Sequence, residues 1–235
     1  FYVDRINDAD VVLQNSNPNI QKQSGYKQYN FLQKILYRQN DVVNHVLNFQ
    51  YSTSSDIPRY DRLTQIKNDA PQYAEWFYGP QERFFSSYQL DLTQNQKWFD
   101  QAKIILGYQF IEESRHTRSF NNSFLKNRNE QLNIYTLNAD FDKKKLKNTL
   151  RYGFDFWHNK VRSTAHQQNI ITLDQIPLDT RYPDGGSTME SYAFYFTHSY
   201  KLNDQWILNE GLRINYIGLE ANFDDKTFFP FDFDQ

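Results

Sequence analysis

His116 and Glu112 are one pair of side chains in this chain whose types and spacing could bind a metal-bearing ligand. They are four residues apart, and residues separated by an even number lie on the same face of a β-strand. An imidazole nitrogen and a carboxylate oxygen on one face are suitable ligands for a transition metal. The alternative is an exposed rim histidine beside solvated acidic side chains, and both interpretations stay open in the sequence.

A second group of candidate ligand contacts lies in the long polar segment between residues 56 and 79. Arg59 and Tyr60 could contact an anionic ligand from above, or Arg59 could instead form a salt-bridged loop scaffold with Asp61. Trp76 and Tyr78 could form an exposed aromatic platform for a flat ligand. Alternatively, these two rings begin the aromatic girdle that a membrane barrel places at its interfaces.

The sequence contains none of several common catalytic motifs. The chain has no cysteine, which excludes thiolate zinc sites and cysteine nucleophiles. It contains no nucleophile elbow, phosphate loop, zinc-protease helix or dinucleotide fingerprint. Glu112 and Glu113 would point to opposite faces of a strand, so they cannot act together as glycosidase carboxylates. We therefore expect no catalytic residue, no resident metal and no cofactor.

The composition narrows the class of protein that positions these residues. Of the 235 residues, 39% are hydrophobic and 17% are aromatic, and the net charge of −2 gives no electrostatic footprint for a nucleic-acid partner. No segment approaches the roughly 18 consecutive apolar residues of a membrane helix. A helical membrane protein is thus excluded, whereas a membrane barrel, whose strands are only half apolar, is not.

Alternation of apolar and polar residues is the dominant pattern, and it predicts eight long antiparallel strands with one apolar and one polar face. A partial strand at Phe1–Ile6 would make about nine. We expect all the apolar sets to lie on one convex face. These sets are Tyr29, Phe31, Ile35 and Tyr37; Val43, His45, Leu47, Phe49 and Tyr51; Phe84, Tyr88, Leu90 and Leu92; Ala102, Ile104, Leu106, Tyr108 and Phe110; Tyr135, Leu137, Ala139 and Phe141; Leu146, Leu150, Tyr152, Phe154 and Phe156; Tyr192, Phe194, Phe196, Tyr200 and Leu202; and Trp206, Leu208, Leu212, Ile214 and Tyr216.

The links between the strands alternate in length, which is typical of an outer-membrane barrel with short periplasmic turns and long extracellular loops. The opposite face carries charged residues that suit a wide, wet lumen rather than a narrow barrel packed with side chains. We therefore interpret the chain as an arc of a larger antiparallel transmembrane β-barrel, with Phe228–Gln235 running into an open loop. The short links are expected near 38–41, 95–97, 142–145 and 203–205, the long ones near 7–25, 56–79, 116–127 and 165–187, and the inward residues are Lys34, Lys103, Gln109, Arg151, Asp155 and Arg213.

Five stretches resemble the barrel region of TonB-dependent outer-membrane receptors. The resemblance implies a barrel of about 22 strands with an N-terminal plug, of which residues 1–235 would be a partial barrel domain without the plug. It also implies a location in the outer membrane of a Gram-negative bacterium, contact with outer-membrane lipid, and coupling to a TonB complex through an absent N-terminal region. The stretches are Tyr51–Leu63, Ala74–Arg83, Gly107–Arg115, Leu150–Phe156 and Phe228–Phe231.

The resemblance further implies that the transported ligand contains iron, as a ferric siderophore or haem. In that context His166, which we expect in the fourth long loop, is a candidate ligand for haem iron. Asn17–Ile20 looks similar to a haem-receptor motif but lies in the first long loop, so no haem role is assigned to it. Two other interpretations stay open: a small self-contained outer-membrane barrel and a soluble carbohydrate-binding β-sandwich.

Overall fold

The computed structural model describes residues 1–231, which are almost entirely antiparallel β-structure. No helix in this part of the chain is long and apolar enough to span a membrane. Residues 232–235 lie outside the described residues, and with them the end of the open loop expected at Phe228–Gln235. The strands are β1 Tyr2–Ile6, β2 Ala9–Leu13, β3 Gln28–Arg38, β4 Val43–Ser54, β5 Ile57–Pro58, β6 Ile66–Lys67, β7 Ala70–Pro71, β8 Tyr73–Tyr78, β9 Glu82–Thr93, β10 Gln101–Ser119, β11 Phe124–Lys145, β12 Asn148–Asn169, β13 Gln175–Pro177, β14 Ser187–Lys201 and β15 Ile207–Ala221, and the helix is α1 Tyr60–Leu63.

Eight of these strands form one large meander in the order β3-β4-β9-β10-β11-β12-β14-β15, each antiparallel to its neighbours. The links at one end of this sheet are all short, because consecutive strands pair directly through tight turns. The opposite end carries the long link between β4 and β9 and the link between β12 and β14. Within the described residues β3 and β15 do not pair with each other, so the sheet has two free edges.

The register brings the apolar residues of neighbouring strands opposite one another on a single face, which we call the apolar face. Directly paired residues share a face, so the pairing of each strand fixes the orientation of the next. Two complete rows of apolar or aromatic side chains cross all eight strands on this face. The first row is Tyr37, His45, Leu90, Ile104, Ala139, Phe154, Phe194 and Ile214, and the second is Ile35, Leu47, Tyr88, Leu106, Leu137, Phe156, Tyr192 and Tyr216.

The apolar band runs obliquely across these rows. On β3 to β10 it extends towards the long-loop end, whereas on β14 and β15 it extends towards the short turns, and the paired positions on the other strands are polar. Such an offset is the pattern expected when strands are tilted relative to a flat apolar layer. Towards the long-loop end the band also includes Phe31, Tyr51, Phe84 and Phe110. Towards the short turns it includes a third row, Val43, Leu92, Ala102, Phe141, Tyr152, Phe196 and Leu212, and beyond it Tyr200 and Leu208.

The apolar face has no protein core beneath it. Among the residues described, the buried hydrophobic ones are Val3, Leu63, Ala74, Trp76, Ala102 and Ala193. By contrast Phe194 is 63% exposed, and its ring packs only along the surface against Phe154, with ring centroids 4.8 Å apart. The strands of a soluble sandwich would bury this face against a second sheet. The predicted single apolar face is therefore confirmed for the residues within strands, and nothing in residues 1–231 covers it. Leu146, Leu202 and Trp206 were also expected on this face but lie in the short turns.

The opposite face, which we call the polar face, carries a network of charged and hydrogen-bonding side chains. Asp155 accepts a hydrogen bond from Asn138 Nδ2 at 2.7 Å and pairs with Arg213 at 2.8 Å. The ring of Tyr195 lies over Gly153, where an added Cβ would come within 2.4 Å of the ring, and its hydroxyl donates to Asp140. The predicted inward residues all lie on this face, since each alternates with the apolar set on its strand.

Three sequence expectations about the long-loop end differ from the structure. The strand near Phe1–Ile6 exists as β1, but it pairs with β2 in a separate hairpin and does not extend the large sheet. The long link expected at 116–127 is wrong, because β10 and β11 continue as a hairpin closed by residues 120–123. His166 likewise lies within β12 and not in a loop. In the last two cases polar residues continue the strand, since backbone pairing does not require apolar side chains.

Candidate functional site

The candidate site residues lie where β8, β10, β11 and β12 extend beyond the apolar band towards the long-loop end. The register assigns them to opposite faces of the sheet. Tyr78 pairs with Arg115, whose side chain is on the polar face, whereas Phe77 pairs with His116, whose side chain is on the same side as the apolar face. The side-chain period of two along each strand separates the two groups.

On the polar face, two arginines enclose two aromatic rings in what we call the arginine–aromatic cluster: Arg59, Trp76, Tyr78 and Arg115. The Trp76 and Tyr78 rings meet edge to face with centroids 4.9 Å apart. The guanidinium carbon of Arg59 lies 4.8 Å from the Trp76 ring centroid, and that of Arg115 lies 5.2 Å from the Tyr78 ring centroid. Both guanidinium groups also donate to the Tyr78 hydroxyl, at 2.8 and 3.3 Å.

Arg59 is positioned by the short segment around α1. Its backbone N–H donates to the carbonyl oxygen of Trp76 at 2.8 Å, and its guanidinium makes two 2.7 Å hydrogen bonds to the carboxylate of Asp61. These hydrogen bonds hold the pKa of Asp61 below its usual range and raise that of Arg59. Leu63 at the end of α1 is buried beside β8, which fixes the segment against the sheet.

Arg115 differs from Arg59 because it contacts no carboxylate in residues 1–231. Its Nε atom is buried and has no hydrogen-bond partner in this part of the chain. Arg128 is its directly paired neighbour on β11 and is held by Asp179 of the β12–β14 link, at 2.8 Å. Trp76 and Arg128 also line a cavity of about 370 Å³ with Lys126. Asp61 and Asp179 neutralise Arg59 and Arg128, so Arg115 and Lys126 are the cations here without a carboxylate partner in residues 1–231.

The two histidines lie on the other face in a row of hydrogen-bonded side chains. His116 contacts Asn127 Oδ1 through Nδ1 at 2.6 Å and Ser114 Oγ through Nε2 at 2.9 Å. Asn127 Nδ2 in turn lies 3.3 Å from His166 Nε2, and the His116 ring stacks on Phe77 at 4.5 Å. Glu112 shares this face as expected, but its carboxylate accepts hydrogen bonds from two amides of β11.

The sequence therefore identified most members of the arginine–aromatic cluster but not their grouping. Arg59, Trp76 and Tyr78 are brought together, whereas Tyr60 is exposed in α1 and makes no part of the cluster's ring contacts. Arg115 and Arg128 were missed. The signal that could have found them is their odd and even positions on β10 and β11, which place both on the polar face once the register is known.

The side chains at these sites are suited to binding anions and hydrogen-bonding groups. In residues 1–231 there is no group of three or more histidine, aspartate or glutamate side chains that could hold a metal ion. The arginine–aromatic cluster offers guanidinium donors for carboxylate or phosphate oxygens, whereas Trp76 is buried and the guanidinium groups already lie over both rings. The histidine row faces away from this cluster, so the two cannot contact one small ligand together.

Comparison with known proteins supports the fold alone. No protein-family model matches the chain, and no curated protein sequence matches it. Among solved structures the chain is similar to the copper transporter OprC, with a TM-score of 0.65 and 9% identity, over 83% of this chain and 29% of that one. It is also similar to the unliganded ferric citrate transporter FecA, with a TM-score of 0.51 and 13% identity, over 84% of this chain and 30% of that one. The chain thus spans about three tenths of each of these proteins.

Proposed function

We propose that this chain is part of the wall of a TonB-dependent transport barrel in the outer membrane of a Gram-negative bacterium. The observation that carries the proposal is the pair of complete apolar rows, which cross eight strands and stay exposed on one face. Acyl chains of a bilayer would cover that face, while the charged polar face would line an aqueous interior. The structural similarity to two transporters supports the same conclusion.

The free edges of β3 and β15 support the assignment of residues 1–235 to a partial barrel domain. In lipid, each backbone N–H and C=O of a strand needs a partner, so both edges must pair with further strands. In this proposal a plug domain and the segment that contacts the TonB complex are supplied from outside residues 1–235. The wall itself catalyses no reaction; it excludes lipid, lines the pathway and gathers ligand.

The proposed cargo is an anionic, iron-containing ligand such as a ferric siderophore or haem. The support for it is the arginine–aromatic cluster, which places two guanidinium groups at the long-loop end of the polar face. Arg115 in particular carries a guanidinium without a carboxylate partner among the described residues. An anionic chelate would supply a counter-charge for this guanidinium group.

The two alternative interpretations are less well supported by the structure. A soluble carbohydrate-binding sandwich requires a second sheet against the apolar face, and residues 1–231 contain none there. A small self-contained barrel requires its first and last strands to pair, which β3 and β15 do not do within the described residues.

Site-directed labelling of the full-length protein in cells tests the membrane arrangement, because this chain has no native cysteine to interfere. Ile214 and Asn215 are adjacent on β15 and face opposite sides of the sheet. We expect Ile214→Cys to react with a lipid-soluble maleimide and to resist a charged one, and Asn215→Cys to react with the charged reagent. Equal labelling of both by the charged reagent would contradict the proposal.

Orientation and cargo need two further measurements. Leu173 lies in the β12–β14 link and Leu146 in the two-residue β11–β12 turn, and both are exposed. In intact cells a membrane-impermeant reagent should modify Leu173→Cys but not Leu146→Cys. Uptake of iron from ferric citrate and from haemin, against copper as the alternative metal, then tests the cargo in cells with and without the gene.

A further inference from the structure

The short-turn end of the sheet carries a concentration of positive charge that the proposed transport function does not use. The β9–β10 turn and residues 143–147 at the β11–β12 turn together contain five lysines and a single aspartate, Asp100. We call these lysines the basic rim. They are Lys97, Lys143, Lys144, Lys145 and Lys147.

The two turns are joined into one surface by Lys143. Its ammonium group donates to Asn95 Oδ1, to the carbonyl oxygen of Gln96 and to Asp100 Oδ1, at 2.9, 2.6 and 2.7 Å. The backbone N–H of Lys144 donates to the other carboxylate oxygen of Asp100 at 2.7 Å. The only carboxylate in these turns is therefore already occupied by Lys143 and a backbone amide.

The remaining cations of the rim are exposed and available. Lys97, Lys144 and Lys145 form no ion pair within residues 1–231, and the Lys97 ammonium lies 5.3 Å from the Trp98 ring centroid. Lys147 donates to the carbonyl oxygen of Leu202, an interaction that leaves its charge uncompensated. Such a cluster attracts anions, and it attracts them most strongly at a surface that bears many negative charges.

Two large apolar side chains of the same turns show that the rim is continuous with the apolar face. The Tyr152 hydroxyl, on that face, donates to the carbonyl oxygen of Trp98 at 2.8 Å, and the Trp98 side chain is 70% exposed. Leu146 is 98% exposed and has a φ of 53°, a conformation that is costly for a bulky residue. An exposed tryptophan and leucine beside lysines match the chemistry of a lipid headgroup layer.

We propose that the basic rim binds the anionic headgroup of a glycerophospholipid in the leaflet that contacts the short turns. Lys97 and Lys145 contact the headgroup phosphate, and Trp98 lies at the level of the glycerol backbone. Lys144 is on the polar face of β11 and takes no part in this contact. The acyl chains then pack on Phe141 and Tyr152, whose rings stack 5.3 Å apart on the apolar face. This inference rests on the proposed membrane location, and it adds a lipid partner to it.

Lipid binding by the full-length protein in detergent tests the inference. Native mass spectrometry would compare retention of phosphatidylglycerol with that of zwitterionic phosphatidylcholine for the wild type and for the double variant Lys97→Gln/Lys145→Gln. Each lysine near an anionic lipid surface contributes about 1 kcal/mol, which corresponds to about a fivefold change in affinity. We therefore expect the double variant to bind phosphatidylglycerol about 30-fold more weakly. Binding of phosphatidylcholine should be unchanged.

The matched control is Lys22→Gln/Lys67→Gln, which removes the same charge from exposed lysines elsewhere in the chain. It should bind phosphatidylglycerol like the wild type. Equal loss in both double variants, or no headgroup preference in the wild type, would overturn the inference while the labelling of Ile214→Cys still supports the membrane wall. Labelling of Leu146→Cys from outside intact cells would instead overturn the proposed orientation.

Discussion

Arg118 and Asp10 are 108 residues apart in the sequence, yet Arg118 Nη1 donates to both carboxylate oxygens of Asp10 at 2.9 and 2.8 Å. Both side chains are almost fully buried, at 2% and 0% exposure. Arg118 Nε also donates to Glu75 on β8, and the Asn121 N–H donates to Asp10. This pair fastens the β1–β2 hairpin to the outer end of the β10–β11 hairpin.

Replacing Asp10 should release the β1–β2 hairpin without unfolding the large sheet. Asp10→Ala removes charge-assisted hydrogen bonds from Arg118, which keeps Glu75 as a partner, and we expect a cost of about 1.5–3 kcal/mol. Hydrogen exchange of the full-length protein should show loss of protection in residues 2–13 and little change in β11 and β12. Asp4→Ala, at an exposed position of the same hairpin, is the control. If Asp4→Ala caused an equal loss of exchange protection in residues 2–13, the role of Asp10 would be contradicted.

The same ion pair should make hairpin docking sensitive to acid. Burial alone would raise the pKa of Asp10, but hydrogen bonds from Arg118 and Asn121 lower it below its usual value. A lowered pKa means that the stabilisation is complete above about pH 4, the usual range of an aspartate, and is lost as the pH falls through the lower folded value. Exchange protection of the hairpin should thus be flat from about pH 8 to about pH 5, and loss near neutral pH would contradict this.

Phe154 and Asp155 are adjacent on β12 and test the assignment of the two faces. In the full-length protein Phe154→Arg should cost about 2–4 kcal/mol if the position lies near the bilayer midplane. Asp155→Asn should cost less, because the partly exposed Arg213 can turn to water on the polar face. Folding titrations in lipid vesicles measure both, and greater damage from Asp155→Asn would reverse the assignment.

Gly153 should be sensitive to the smallest substitution. A Cβ at this position would lie 2.4 Å from the Tyr195 ring and 2.6 Å from the carbonyl oxygen of Ala139. Gly153→Ala must displace the ring from Asp140, and we expect a cost of about 1–3 kcal/mol, as for other overpacked sites. Gly25→Ala is the control, because the added methyl group would meet open space and should leave the folding free energy unchanged. An equal loss of stability in both variants would contradict the close contact between Gly153 and the Tyr195 ring.

Arg115 should control affinity for an anionic cargo. Arg115→Gln removes a guanidinium without a carboxylate partner in the described residues. If the proposed anionic cargo binds there, we expect an anionic ferric chelate to bind about tenfold more weakly, the loss of one charge-assisted hydrogen bond. Arg83→Gln, on the same face but bonded to Gln109, is the control. Titration of the full-length protein by tryptophan fluorescence measures both, and an unchanged affinity in Arg115→Gln would remove Arg115 from the site.

Residues 1–235, expressed by themselves in water, should not form a monodisperse monomer. Residues such as Phe194 and Ile214 are more than 60% exposed, and the edges of β3 and β15 are unpaired. Exposed apolar surface and open edges both promote association. Size-exclusion chromatography without detergent should give aggregates, and a stable peak at 28.3 kDa would contradict the membrane interpretation.

The sequence alone determined the eight long strands of the meander and the two-sided character of their central parts, but not the short strands β5, β8 and β13 that join the same sheet. Alternation is a local property, so Phe154 and Phe156 are placed on one face and Asp155 on the other before any partner strand is known. Alternation could not show where β10 and β12 end, because their outer parts are polar on both faces. His166 was therefore expected in a loop, although backbone pairing extends β12 beyond it.

Only the tertiary structure decided which candidate residues act together. The cluster of Arg59, Trp76 and Arg115 depends on the pairing of β8 with β10 and on the fold of α1, and the sequence carries no period that encodes either. The same holds for Asp10 and Arg118, whose contact requires a separate hairpin to dock on the far end of the sheet. Register is a relation between distant segments, so local patterns fix the face of a residue but not its neighbours.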